Sequence, residues 1–130
     1  MSGFTLDAGA LIALDRAPDA QVARRVLALL ARAEERKFRV TIPATALAQA
    51  IRNPARQVRL ARLIRQPSTD LVSLDGPDAT AVGMLLARTK TADIVDAHVV
   101  VCAQRTGQSV VTSDAADLRR LAPGLQLVVV

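Results

Sequence analysis

Short apolar runs, several of them β-branched, alternate with helical stretches along all 130 residues, and few architectures accept that order. Phe4-Thr5-Leu6-Asp7 reads as a short strand ending in an acid, and Ala8 to Leu14 as a short buried helix. Pro18 and Asp19 restart the chain. Val22, Val26, Leu29, Leu30 and Ala33 then recur at helical spacing through Glu35. Arg39 to Pro43 reads as a strand closed by proline, and Ala44 to Arg52 as a helix. Asn53-Pro54 has the form of an N-cap followed by proline at the first helical position, opening a helix to about Arg65. Leu71 to Leu74 reads as a third strand. Gly76-Pro77-Asp78 punctuates before a helix from Ala79 to Arg88. A further helix runs from about Asp93 to Arg105 and stops at Gly107. Ser109 to Asp114 is a strand, Ala116 to Leu121 a short helix and Leu125 to Val130 a last strand. Strands that alternate with helices predict a three-layer α/β/α sandwich around a mostly parallel sheet. The near-continuous apolar strands fit burial on both faces.

Residues 1–130 have one domain's length, and 51% apolar residues suffice for one core. That core is aliphatic, because Phe4 and Phe38 are the only aromatic residues, which argues against stacking platforms for single-stranded nucleic acid. The formal charge is +5, and 15 of the 17 basic residues are arginine. Arginine's planar fork suits phosphate, so a polyanionic partner is consistent with the charge, as is a general arginine bias. The lone Cys102 excludes an internal disulfide and reads as a buried thiol in an apolar run. No charged segment precedes an apolar stretch at the start. No apolar run approaches the roughly 18 residues of a membrane span. The expectation is a soluble cytoplasmic protein.

Asp7 and Asp114 both stand at the carboxyl ends of predicted parallel strands, the edge where ligands bind in open α/β sheets. Asp93 and Asp96 open the helix that feeds the Asp114 strand. At spacing i, i+3 they share one face at its N-terminal end, which a right-handed crossover brings to the same edge. Asp117 lies one turn beyond Asp114. Close carboxylates repel by about 1 to 4 kcal/mol per pair at surface-like dielectrics, and a hard divalent cation removes that repulsion. Oxygen donors without clustered histidine or cysteine point to Mg²⁺ or Mn²⁺. The chemistry that uses such a site is phosphoryl transfer, in which the ion activates water and offsets charge on the leaving oxygen. Each acid also has an ordinary use: Asp7, Asp93 and Asp114 can each cap the helix they precede. Asp96 differs, because it enters a helix that is apolar nearly all round, and a buried acid needs a partner.

These residues also carry a likeness. Leu6-Asp7-Ala8 near the start, Val95-Asp96-Ala97-His98 in a late apolar helix and Thr112-Ser113-Asp114 after a strand resemble a PIN domain, and more closely the VapC ribonuclease toxins of VapBC toxin–antitoxin pairs. The likeness spans essentially the whole chain. It implies an endoribonuclease dependent on Mg²⁺ or Mn²⁺, held inactive by a cognate VapB-like antitoxin and commonly a homodimer. It implies metal ligation by Asp7, Asp96 and Asp114, with Asp93 and Asp117 auxiliary. The remaining acid of the family, a glutamate on the helix after the second strand, falls at Gln49 here. Glutamine offers a carbonyl oxygen and two N–H donors but no charge, so it can orient water and cannot act as a base.

Thr112 and Ser113 are candidates to bind substrate phosphate or a carboxylate. Arg52, Arg56 and Arg59, continuing to Arg62 and Arg65, form a possible phosphate-contacting stripe or a plain solvated face. His98, about 200° around the helix from Asp96, reads as structural. With that histidine misdirected, a serine nucleophile at Ser113 is unsupported. No glycine-rich phosphate loop is present, so nucleotide cofactors are unsupported. A phospho-accepting receiver domain would need a lysine paired with Asp75, and neither Lys37 nor Lys90 is placed to supply it. The competing class is a PIN-like module, weakened by Gln49, that binds RNA or protein without cutting.

Overall fold

Gly3–Leu6 (β1), Arg39–Pro43 (β2), Thr69–Val72 (β3), Ser109–Thr112 (β4) and Leu127–Val129 (β5) form one sheet in the order β3-β2-β1-β4-β5. Every pairing is parallel. The computed structural model describes residues 3–16 and 20–130; the restart read at Pro18 and Asp19 lies outside them. The helices are Ala8–Ala13 (α1), Gln21–Glu35 (α2), Ala44–Ala50 (α3), Val58–Ile64 (α4), Gly76–Thr89 (α5), Ile94–Thr106 (α6) and Ala115–Leu121 (α7). The fold is thus an α/β sandwich whose sheet is wholly parallel. Among the described residues no helix is long and apolar enough to cross a membrane.

Burial explains the strand sequences. Val110 and Val111 of β4 and Ile42 of β2 are fully covered, so these central strands are apolar on both faces. The edge strands differ, with Leu71 of β3 and Val129 of β5 each 52% exposed. Gly3 is fixed by a close approach of β2. A Cβ there would lie 2.3 Å from the Arg39 carbonyl oxygen and 2.6 Å from Gln108 Nε2. Gly3→Ala therefore forces β1 and β2 apart, and we expect it to cost about 2 kcal/mol or more, read as a lowered urea midpoint.

The order of connections positions the edge that matters. The chain moves from β1 outward to β3, then crosses back to β4. Right-handed crossovers send the helices after β1 and after β4 to opposite faces, which opens a crevice at the carboxyl ends of these two neighbours. α3, leaving the carboxyl end of β2, packs against both α1 and α6 beside that crevice.

Three local expectations are corrected. The helix expected from Asn53 to Arg65 is broken: Pro54–Arg56 is a 3₁₀ turn, and α4 begins only at Val58. Asn53 makes no capping bond. Gln57 bends back, its Oε1 accepting from the Arg52 and Asn53 amides at 2.9 and 3.2 Å and its Nε2 donating to the Ala50 carbonyl at 2.8 Å. These bonds satisfy the end of α3 and stop a continuous helix. β3 begins two residues earlier than expected, where Thr69 and Asp70 pair with Val40 and Thr41. α5 begins at Gly76, not Ala79, because Asp75 caps it by accepting from the Asp78 amide at 2.9 Å, with Pro77 in the first turn.

Candidate active site

Three aspartates cap three helices on one edge of the sheet. Asp7 Oδ1 accepts from the Ala10 amide at 2.8 Å, Asp93 Oδ1 from the Asp96 amide at 2.9 Å, and Asp114 Oδ1 from the Ala116 amide at 3.4 Å. The ordinary capping use of each acid is therefore real. It also fixes each carboxylate where its helix leaves the carboxyl edge, so capping assembles the cluster and does not compete with it.

The electrostatics show that the acids feel one another. Burial pushes Asp96 up to about 6, and the charges of Asp93, Asp7 and Asp117 add to the shift. Burial also raises Asp7, which is 7% exposed, and the charge of Asp114 adds. The Thr112 hydroxyl and the Ala10 and Gly9 amides oppose that rise. Five aspartates from β1–α1, α6 and β4–α7 thus share one negatively charged neighbourhood. Among the described residues, no lysine or arginine lies within ion-pair distance of any of them; the pairs are Arg39–Asp70 on the surface, and Arg105 and His98 with Asp78.

Thr112 is fully buried, and its hydroxyl is committed. Its Oγ1 accepts from the Asp114 amide at 3.0 Å, and its single proton serves either the Asp114 carbonyl at 3.0 Å or the Asp7 carboxylate. It ties the first acid to the last, which is the carboxylate-bonding use expected for it. Ser113 is exposed and packs over α1: a Cβ on Gly9 would lie 2.9 Å from its Oγ and 3.5 Å from Asp7 Oδ1. Gly9 lets this loop close down beside Asp7. Gln49 is exposed on α3, the helix packed between α1 and α6, and its side chain has no hydrogen-bond partner among the described residues.

Arg59 accompanies the end of α1 remote from Asp7: its amide donates to Asp15 and its guanidinium to the Leu14 carbonyl at 3.2 Å. Arg59 and Arg62 border a depression against α2, formed with Leu27, Leu30 and Glu34. Arg52 and Arg56 are exposed around the 3₁₀ turn. Two cations that share a cleft with the acids carry no signal in the sequence. Lys90 and Arg120 line a cleft of about 280 Å³ with Asp93, Asp96 and Asp117. In the sequence Lys90 stands out only as a candidate partner for Asp75, and Arg120 lies in a run of charges at the end of a short helix.

His98 points away from this cleft, as its helical position predicts, into a network the sequence did not reveal. Its Nδ1 lies 2.7 Å from Thr45 Oγ1, and its Nε2 lies 3.2 Å from Asp78 Oδ2. Arg105 bonds the other oxygen of Asp78. Asp78 is 2% exposed, and Arg105 first and His98 after it hold its carboxyl below the usual range against the opposing effect of burial. The only local signal was that His98, Cys102 and Arg105 recur at i, i+4 and i+7 on one helix face. Cys102 is buried as expected, and burial pushes its thiol up to about 11, so it stays protonated and unreactive at neutral pH. Asp75 serves as the α5 cap.

With this geometry in hand, likeness to known proteins carries further. The model of the PIN domain family matches residues 4–123. Among solved structures, FitAcB from Neisseria gonorrhoeae superposes with a TM-score of 0.66 at 18% identity, over 95% of this chain and 95% of that one. VapBC2 from Rickettsia felis, solved bound to a DNA fragment from their promoter, superposes with a TM-score of 0.63 at 14% identity, over 98% of each chain. At such identities the likeness is one of fold. No curated protein matches the chain.

Proposed function

The chain belongs to the PIN domain family, and from that premise we propose that it is an endoribonuclease dependent on Mg²⁺ or Mn²⁺, a toxin of the VapC type. The observation that carries this reading is the gathering of acids at one edge, where Asp7, Asp93 and Asp114 cap three helices and Asp93, Asp7 and Asp117 surround the part-buried Asp96 and raise its carboxyl. A fold retains repulsion of that kind where a cation is to be held. The donors are all hard oxygens with neither histidine nor cysteine among them, which fits Mg²⁺ or Mn²⁺ and not zinc. In this reading Asp7, Asp96 and Asp114 hold the ion, which supplies an activated water and neutralises charge at the phosphodiester.

The protein's own groups do the rest. The caps fix Asp7, Asp93 and Asp114 through their Oδ1 atoms, and the Thr112 hydroxyl aligns Asp7 with the β4–α7 loop. Asp93 and Asp117 add negative charge that strengthens cation binding from outside the ligand set. Ser113, exposed above Gly9 and beside Asp7, is in this reading the donor to a substrate phosphate oxygen. With the ion bound, an activated water would serve as nucleophile and the ribose 2′-OH would not be needed for attack. The family likeness extends the proposal to a small antitoxin partner and to pairing as a homodimer. An apolar groove between α3 and α4, lined by Leu47, Ile51, Leu60 and Ile64, offers surface for such contacts.

Structured RNA incubated with and without Mn²⁺ tests this. Cleavage that requires the ion and stops on chelation is expected; cleavage indifferent to chelation overturns the proposal. One observation favours a second reading. Gln49, beside α1 and α6, contributes no charge where the family places a carboxylate, which suits a weakened enzyme that mainly binds RNA or protein. Gln49→Glu separates the two. If the site is competent but weakened, the variant binds Mn²⁺ more tightly and cleaves at least about tenfold faster, a change of some 1.4 kcal/mol. An unchanged rate from a wild-type protein that already cleaves shows that Gln49 is no handicap.

A further inference from the structure

We propose that Lys90 and Arg120 form a phosphate subsite, gripping the nucleic-acid backbone on the flank of the acid cluster. The inference rests on the nuclease reading and extends it to how the strand is held. Both residues line the same 280 Å³ cleft as Asp93, Asp96 and Asp117. Both are exposed, and neither closes onto a carboxylate: among the described residues neither side chain has an ion-pair or hydrogen-bond partner. A cleft shaped only for stability would pair its opposite charges. This one holds Asp93, Asp96 and Asp117 beside two cations that, among the described residues, none of them pairs with, which suits a metal ion at the acids and a polyanion at Lys90 and Arg120. An RNA strand brings phosphates that the aspartates alone would repel, so an anion-binding flank is what such a substrate needs. Arg59 does not line this cleft, and its guanidinium donates to the Leu14 carbonyl.

Lys90 also provides a clean test. It ends α5 in the left-handed conformation, φ 57°, a position that favours glycine and that Gly107 occupies after α6. Lys90→Gly therefore relieves the backbone while deleting the cation, so any lost binding does not come from a damaged fold. Lys37, also at φ 57° but far from the acids in a surface hollow with Phe38 and Arg39, is the matched control.

The measurement is fluorescence anisotropy of a short labelled single-stranded RNA with the full chain, in Ca²⁺ to neutralise the acids, across a salt series. Lys90→Gly and Arg120→Ala are each expected to weaken binding about threefold to tenfold, and each to reduce the slope of log K against log salt by about 0.7. Arg120→Lys retains most of the affinity, and Lys37→Gly leaves it unchanged. Cleavage in Mn²⁺ then shows KM rising in the same two variants with kcat held. Unchanged affinity and salt slope in Lys90→Gly and Arg120→Ala overturn the subsite, as does an equal loss in Lys37→Gly. Failure of the nuclease reading looks different: RNA binding depends on Lys90 and Arg120, yet Mn²⁺ elicits no cleavage.

Discussion

Asp96→Asn raises the thermal midpoint of the metal-free protein by several degrees at pH 7 and lowers RNA cleavage by at least about a hundredfold. The two effects share one cause. In the folded chain the Asp96 carboxyl is pushed up to about 6, by burial first and then by Asp93, Asp7 and Asp117. A group whose folded pKa lies above its unfolded value contributes stability that is complete below the unfolded value near 4. That contribution is lost as pH rises through about 6. At pH 7 the ionised Asp96 is thus a net burden, on the order of 2 kcal/mol after allowance for solvent screening. Asparagine keeps the shape and removes the charge. Asp7, also raised, acts in the same direction, so metal-free protein is more stable near pH 5 than at pH 7. Added Mg²⁺ reverses that order in the wild type and has little effect on the variant. A scanning fluorimetry series over pH, with and without Mg²⁺, reads all of this.

The largest loss of stability falls far from the cleft. Asp78→Ala costs about 3 kcal/mol, and urea unfolding shows it as a lower midpoint. The substitution strips the fully buried His98 of its Nε2 partner and leaves Arg105 without its carboxylate. Arg105 is half exposed and recovers solvation, which keeps the cost below that of a wholly buried pair. Arg105→Ala costs a comparable amount, about 2 to 3 kcal/mol, because it leaves the buried Asp78 carboxylate with His98 as its remaining side-chain partner. The sign with pH is opposite to that of Asp96. Asp78 is lowered, by Arg105 first, so its contribution is present above the unfolded value near 4 and disappears as pH falls below it. At temperatures well below the midpoint the surviving folded Asp78→Ala protein is expected to cleave RNA at the wild-type rate, because among the described residues none of the network's bonds involves an acid of the cluster.

The contrast between these two aspartates shows what a sequence reveals. Asp7 and Asp114 follow strands and precede helices, so their place at the carboxyl edge follows from alternation and crossover handedness alone. Asp96 was visible because an acid in an apolar helix is anomalous. Asp78 was not visible: it follows Gly76-Pro77, which reads as a break, and its partners lie 20 and 27 residues away. Only the packing of α5 on α6 joins them. Gln57 was missed for a related reason, since its three bonds to the end of α3 are side-chain bonds that no hydrophobic period encodes. The basic stripe shows the converse. The spacing by threes after Arg56 is real, but periodicity places residues on a face without saying which face meets the site. The cations that share the cleft, Lys90 and Arg120, come from the ends of two different helices.

The central claim is tested most directly by titrating Mn²⁺ into the wild-type chain and into Asp7→Asn, Asp96→Asn and Asp114→Asn, following the signal of the free ion by electron paramagnetic resonance. The wild type is expected to take up the ion, and each single replacement to weaken uptake by at least about tenfold while the protein stays folded. Equal uptake by all four proteins, or none by the wild type, contradicts the account.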